Sequence, residues 1–329
     1  MIQVGDLYVL EIFQEIQGDL LKVEEELERV VQHRNPLLNE TSSHLLNAGG
    51  KRLRPAFALL SGKFYNYDFE RVKPLAVALE LIHMASLVHD DVVDSAMTRR
   101  GIPTVKSNWG NRISMHTGSL LFAKSLIKIS QYQDTPLIAK VLSRTSTRMC
   151  EGEIQQISSA YKSDQNVKDY WYRIERKTAF LISASCQLGA MACGASKDIY
   201  MPLARYGHKI GMAFQIVDDI LDMVGDQQQF GKPIGSDLRQ GILTLPVIYA
   251  LKNSAQRARM VSLVENQNKT DQEVEEAIAI VKNCGGIDYA HKVVDRNIYK
   301  AKKELQRLPD VSAKATLSII ADFVGYRKF

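Results

Sequence analysis

Two Asp-Asp-x-x-Asp clusters, Asp90/Asp91/Asp94 and Asp218/Asp219/Asp222, are the groups in this chain best suited to chemistry. In each, the first and third carboxylates stand at i and i+4, so a helix puts them on one face, one turn apart. Carboxylates packed this closely raise one another's pKa unless a cation compensates. All-oxygen ligands suit a hard cation, and Mg²⁺ binds through one or two carboxylates plus a substrate's phosphates. A single cluster of this kind reads equally well as a solvated acidic face. The neighbours argue against that: Asp90 follows the apolar run 75–88, and Asp218 follows Phe214-Gln215-Ile216-Val217, with Ile220 and Leu221 inside the cluster. Such surroundings place both clusters at the mouth of a cavity.

A polar stripe leads to each cluster. Glu80, His83, Ser86, Asp90 and Asp94 step by three or four along the first, and Gly211, Gln215, Asp218 and Asp222 along the second. Gly207 and Gly211 read as close-packing positions between helices. Basic residues supply the opposite charge. The segment 49–55, Gly-Gly-Lys-Arg-Leu-Arg-Pro, opens a helix, where backbone N–H groups with Lys51 and Arg54 favour a phosphate. It is not a phosphate-binding P-loop, since Leu45 and Arg52 stand where Gly and Ser/Thr are needed. Arg99-Arg100-Gly101 follows the first cluster, Lys177-Thr178 starts an apolar segment, and Lys232 follows the second cluster. Each alone is more often a surface charge; together they match the charge of two diphosphates.

The elements that must position these groups are helices. Leu20, Val23, Leu27, Val30 and Val31 recur at helical spacing with glutamates between, and Leu317, Ile320 and Val324 repeat the pattern. No proline falls between Pro136 and Pro202, which favours long helices. The runs 75–88 and 179–193 are apolar on most sides, as central helices of a bundle are. Glycine and proline punctuation is confined to 49–55, 101–103, 225–235 and 285–286. No composition shift marks a boundary, so 1–329 reads as a single all-α domain.

Composition narrows the class. Of 329 residues, 45% are hydrophobic and 24% charged, and the net charge of +5 comes with no basic tract, so nucleic acid is a poor partner. The four cysteines have no metal-binding spacing, and reduced thiols are expected. No leader pattern and no long uncharged apolar run stands out, so no transmembrane segment and a cytoplasmic protein are expected.

With these motifs in order (GGKRLRP, HDDVVDSAMTRRG, RKTAF, FQIVDDILD and FGKPIGSDLRQG) the sequence resembles the trans-type polyprenyl diphosphate synthases over nearly its whole length. The resemblance implies an all-α isoprenoid-synthase bundle of long helices around a deep central apolar cavity, usually dimeric. It implies that Asp90, Asp91, Asp94, Asp218 and Asp222 hold Mg²⁺, three ions per site, on an allylic diphosphate, with Asp219 in support. Arg99, Lys177 and Lys232 would clamp that diphosphate, and Thr178 and Gln215 would line the reacting allyl group. Lys51, Arg54, His83 and Arg100 would bind isopentenyl diphosphate. Ser119 and Ile242 depart from a common Asp and Lys, and Ser95 and Met97 stand where acidic or amide residues are usual. These departures resemble the large catalytic subunit of two-component synthases, which works with a small partner; the alternative is a homodimer.

Ala85 and Ser86, five and four residues before Asp90, with Ile82 a turn deeper, are small or aliphatic where short-chain relatives carry an aromatic stop. A hexaprenyl to octaprenyl product for quinone side chains follows, with Phe122 as a possible floor. A farnesyl or geranylgeranyl synthase and a regulatory subunit are the alternatives. A terpene cyclase fits poorly, because its second motif mixes Asn/Asp, Ser/Thr and Glu. A di-iron bundle fits poorly too, because Glu80-Leu-Ile-His83 is the one Glu-x-x-His near the core.

Overall fold

The computed structural model describes residues 12–225 and 234–326. Nearly all of them are helical, and among them the only strands are the two-residue pair Thr98–Arg99 and Ile102–Pro103. The all-α expectation holds. The described residues gather into two compact units.

The first unit takes in residues up to 144, with 184–204 and 307–319. Helix α1 (Gln17–Val31) buries Val23, Leu27 and Val31, the stripe expected from the spacing. After α2 (Pro36–Asn47) and α3 (Leu53–Gly62) comes α4 (Phe69–Val93), capped by the Asp68 side chain on the Glu70 and Arg71 amides. Leu75, Ala76, Val77, Ala78, Leu79 and Leu81 of α4 are fully buried, so the helix is apolar all round because neighbours surround it. It is the one helix among the described residues long and apolar enough to cross a membrane, yet 67% of that stretch is buried inside the protein. It packs against α3 and α5 (Val105–Ile129). Gly118 of α5 leaves room for the His89 ring, since a Cβ there would lie 2.4 Å from His89 Nε2.

Near its start, α4 is held open by a side chain. Pro74 lacks an N–H and its ring crowds the carbonyl one turn back. The Tyr132 hydroxyl enters the ladder beside it, donating to the Arg71 carbonyl and accepting from the Leu75 amide at 3.1 Å. Tyr132→Phe is expected to destabilise the protein by about 1–3 kcal/mol, the cost of leaving a buried N–H and C=O unpaired. A urea midpoint unchanged from wild type would mean that the ladder closes without the hydroxyl.

The second unit takes in 145–183, 205–306 and residues from 320 onward. It holds the later part of α6 (Pro136–Ser159), then α7 (Val167–Ile174). A π-turn, Glu175–Ala179, runs from α7 into α8 (Phe180–Ala192). Most of α9 (Lys197–Val224) follows, then α10 (Ser236–Arg239), α11 (Leu245–Asn253), α12 (Arg257–Glu265), α13 (Asp271–Asn283) and α14 (Gly286–Leu305). Helix α15 (Ser312–Tyr326) closes the chain and buries Leu317, Ile320 and Val324 as its spacing requires.

Candidate active site

The first acidic cluster sits on the last turn of a long helix, and the second lies within the last two turns of another. Asp90 and Asp91 end α4, Asp94 is its C-cap, and Asp218, Asp219 and Asp222 precede Val224, the last residue of α9. Neither last turn contains a basic residue. The carboxylates of the last turns, Asp90, Asp91, Asp94 and Asp222, therefore face the negative end of a helix dipole. The α4 end is a Schellman motif: Ser95, at φ +52°, donates to the Val92 carbonyl at 3.4 Å, and Ala96 donates to Asp91 at 3.0 Å. A left-handed residue there favours Gly or Asn, so Ser95 holds a position at some strain.

The three carboxylates of the first cluster differ in setting. Asp91 is 2% exposed and takes Arg99, with Nε at 2.8 Å and Nη2 at 2.6 Å from Oδ1. Asp90 and Asp94 are half-buried. Arg99 belongs to the hairpin, whose two-residue turn is Arg100-Gly101, with φ +53° and +80°. That is the backbone of a type I′ turn, where Asn-Gly is the usual choice. An arginine held there is strained, and the guanidinium of Arg100 lies where a Gly50 Cβ would be 2.6 Å away.

The basic residues assemble around His83. Arg54, Arg100, Arg99 and Arg52 all bear on its imidazole, and loss of hydration first, then these charges, hold its pKa well below the usual value. His83 is thus neutral, a hydrogen-bonding group among four guanidiniums. Lys51 lies beside Arg52 at the mouth of α3. Arg52, which the sequence offered only as a misfit in a P-loop, is an anchor. At φ +44° it turns inward and donates Nε and Nη2 to Glu24 at 2.7 Å each, and Nη1 to Glu80 at 3.1 Å. Glu80 is 2% exposed.

A pH dependence follows from His83. Its folded pKa is depressed, so the stability it supplies is complete above its ordinary value near 6.5 and is lost as pH falls below that. Wild type is expected to melt at progressively lower temperature from pH 6.5 to 5.5, and His83→Gln to show a flatter profile. Parallel profiles would remove His83 from the account. An added diphosphate should raise the His83 pKa and narrow the difference between the two proteins.

In the second unit the π-turn carries the predicted Lys177 and Thr178. Glycines press it from two sides: a Cβ on Gly152 would meet Arg176 Cβ at 2.8 Å, and one on Gly211 would meet Ala179 Cα at 2.5 Å. The packing role read for Gly211 is borne out. Lys177 pairs with Glu153 at 2.9 Å, and His208 ties Glu175 at 2.7 Å. Thr178 donates to Gln215 Oε1 at 2.7 Å, and Gln215 Nε2 donates to Asp219 Oδ1 at 2.9 Å. Tyr170, fully buried, donates to Asp219 Oδ2 at 2.6 Å. Asp222 accepts the Ser236 and Asp237 amides at 3.1 Å each. Burial and the nearby Asp237 carboxylate raise the pKa of both Asp219 and Asp222.

Asp237, Glu153, Tyr170 and Arg52 were not picked out from sequence. Asp237 lies in a quoted motif, and Glu153 lies in Glu151-Gly152-Glu153, a faint signal of backbone approach flanked by charge. Lys232 lies outside the described residues. Phe122 is half-buried on α5, and Ile82 and Ala85 are buried at 3% and 2% exposure. Ser86 is half-buried and donates back to the His83 carbonyl at 2.9 Å. Of the two departures, Ser119 is exposed and bonds back to Met115, and the Ile242 amide donates to the Asp237 carbonyl at 2.8 Å.

A divalent cation suits this arrangement. Among the described residues no three His, Cys, Asp or Glu side chains already form a metal cage. Within each unit, half-buried carboxylates near a helix C-terminus supply the kind of oxygen ligand that Mg²⁺ shared with phosphates takes.

Residues 35–281 match the pattern of the Polyprenyl synthetase family. The chain is 48% identical to the heptaprenyl diphosphate synthase component 2 of Geobacillus stearothermophilus over 314 residues, 95% of this chain and 97% of that one. Among solved structures it superposes on a heptaprenyl diphosphate synthase from Staphylococcus aureus with TM-score 0.90 at 35% identity, covering 95% and 99% of the two chains. A polyprenyl synthase from Caulobacter crescentus, complexed with calcium and isoprenyl diphosphate, gives TM-score 0.93 at 29% identity and 98% coverage of both. Sequence and fold agree along nearly the whole length: the chain belongs to the Polyprenyl synthetase family and is a prenyltransferase.

Proposed function

We propose that the chain, over 1–329, is one cytoplasmic catalytic domain that condenses isopentenyl diphosphate onto an allylic diphosphate, in successive rounds, to about heptaprenyl length. The observation that supports this is that each unit carries a carboxylate cluster near a helix end, and that in the first unit Arg52, Arg54, Arg99 and Arg100 all bear on His83. Acid for metal and base for diphosphate are both present. The heptaprenyl length is supported by the G. stearothermophilus and S. aureus relatives and by the small Ala85 and Ser86.

Asp90, Asp94, Asp218 and Asp222 would hold Mg²⁺, which when bound neutralises charge on the departing diphosphate. Asp91 aims Arg99 at the same leaving group. Lys177 exchanges Glu153 for a phosphate oxygen. The allylic C–O bond breaks with its electron pair going to the diphosphate, and the isopentenyl double bond then attacks the allylic carbon. A proton leaves C2 of the isopentenyl unit for the released diphosphate, completing one extension. Arg54, Arg100 and neutral His83 orient the isopentenyl diphosphate, and apolar walls exclude water from the cation.

Incubation with Mg²⁺, farnesyl diphosphate and labelled isopentenyl diphosphate tests the reading. Products of about seven isoprene units from the chain alone indicate a self-sufficient enzyme; products only after adding a small subunit indicate the two-component type. No product in either case refutes catalysis and favours a regulatory chain.

A further inference from the structure

We infer that Tyr170 is a positioning residue: acting through Asp219, its buried hydroxyl fixes which atoms Gln215 and Thr178 present to the reacting allyl group. The inference rests on the reading above, in which Thr178 and Gln215 line that group.

The argument is one of hydrogen-bond polarity. Asp219 receives one protein donor at each oxygen, and two such bonds favour its accepting form against the pull of burial. Tyr170 donates at Oδ2, 2.6 Å away. Burial and the adjacent carboxylate push the phenol pKa up, which keeps its proton on oxygen. At Oδ1 the partner is Gln215, and only its amide nitrogen can donate, at 2.9 Å. The Gln215 amide thus has a single orientation, with its carbonyl turned to Thr178. That carbonyl can only accept, so the Thr178 hydroxyl spends its one proton there, at 2.7 Å. The chain of bonds runs from Tyr170 to Thr178 with no freedom to reverse.

The two oxygens at its open end are therefore left as acceptors. Thr178 Oγ1 retains lone pairs and no proton, and Gln215 Oε1 retains its second lone pair. Oxygens fixed in this sense suit a centre where positive charge develops, and they need no reorganisation when it does. Asp219 is 4% exposed and Tyr170 is fully buried, so water has little access to either end of the Asp219 carboxylate. With both oxygens occupied by protein donors, Asp219 serves the network rather than a metal. Without the Tyr170 hydroxyl, the carboxylate can turn toward other partners, and the orientation of Gln215 is no longer determined.

The test is kinetic. Tyr170→Phe should lower kcat about 10- to 100-fold while both KM values stay within about 2-fold, the pattern of an interaction made only in the transition state. Asp219→Asn, which keeps the shape but offers a donor where only acceptors stood, should lower kcat at least as far; it also serves if Tyr170→Phe does not fold. An unchanged kcat, or a loss of kcat accompanied by an equal rise in KM and a lower melting temperature, overturns the inference. Urea midpoints of Tyr170→Phe, Gln215→Ala and the double variant give a readout independent of turnover. Non-additive shifts support the network, and additive shifts overturn it. Wild type inactive with non-additive shifts would sink the proposed function and leave the network standing.

Discussion

Asp218→Ala is expected to lower the condensation rate about 10³-fold or more, since charge stabilisation by a metal is worth several kcal/mol and each 1.4 kcal/mol is tenfold. Its neighbours cannot substitute. Asp219 commits both oxygens to Tyr170 and Gln215, and Asp222 already fills its own place in the proposed metal-binding set. The fold should be little changed, because Asp218 is half-buried and lies outside the apolar core. Melting temperatures of variant and wild type without metal should therefore agree closely. Chelation of the divalent ion should reduce wild type to the same level, and added Mg²⁺ should restore wild type alone. Activity above a tenth of wild type in the variant would remove Asp218 from the metal-binding set.

Ala85→Tyr is expected to shorten the product from about seven isoprene units to the farnesyl or geranylgeranyl length. Ala85 lies five residues before Asp90 on α4, about 7.5 Å along the helix axis, with Ile82 nearly a turn deeper. A phenol ring there would stand below the growing end of the chain and block further rounds without touching the groups that ionise the substrate. The early condensation steps should keep near wild-type rates. Mass spectrometry of the products decides: unchanged lengths in a folded, active variant would refute the open path beneath Asp90.

The helical skeleton was legible because burial repeats with the helix. Val23, Leu27 and Val31, or Leu317, Ile320 and Val324, need nothing but their spacing to be placed. The aspartate clusters were legible for the same reason, since i and i+4 mean one face wherever a helix forms. What escaped depends on partners distant in sequence. Nothing around Arg52 announces that Glu24 and Glu80 will draw it inward, and nothing in Asp91 distinguishes it from Asp90 until Arg99 arrives. The glycine at 101 signalled a turn, but the left-handed backbone of Arg100 is imposed by the hairpin and by Gly50 against its guanidinium. Nothing in the residues next to Tyr170 marks it. Its role emerges only when Asp219 meets its hydroxyl.

The π-turn at Glu175–Ala179 has one consequence for how such a chain could arise. The Phe180 amide reaches back to the Glu175 carbonyl, five residues rather than four, so the turn holds one residue more than an α-helix needs. Each residue of helix turns the chain by about 100°, so deleting one position here would let α7 and α8 fuse and rotate everything beyond it by that amount. Thr178 would leave Gln215, and Gly152 and Gly211 would meet the wrong atoms. Read in reverse, one codon inserted into an ordinary helix could have swung these side chains into register, and the energetic burden of the bulge would have kept it only where the new alignment was useful.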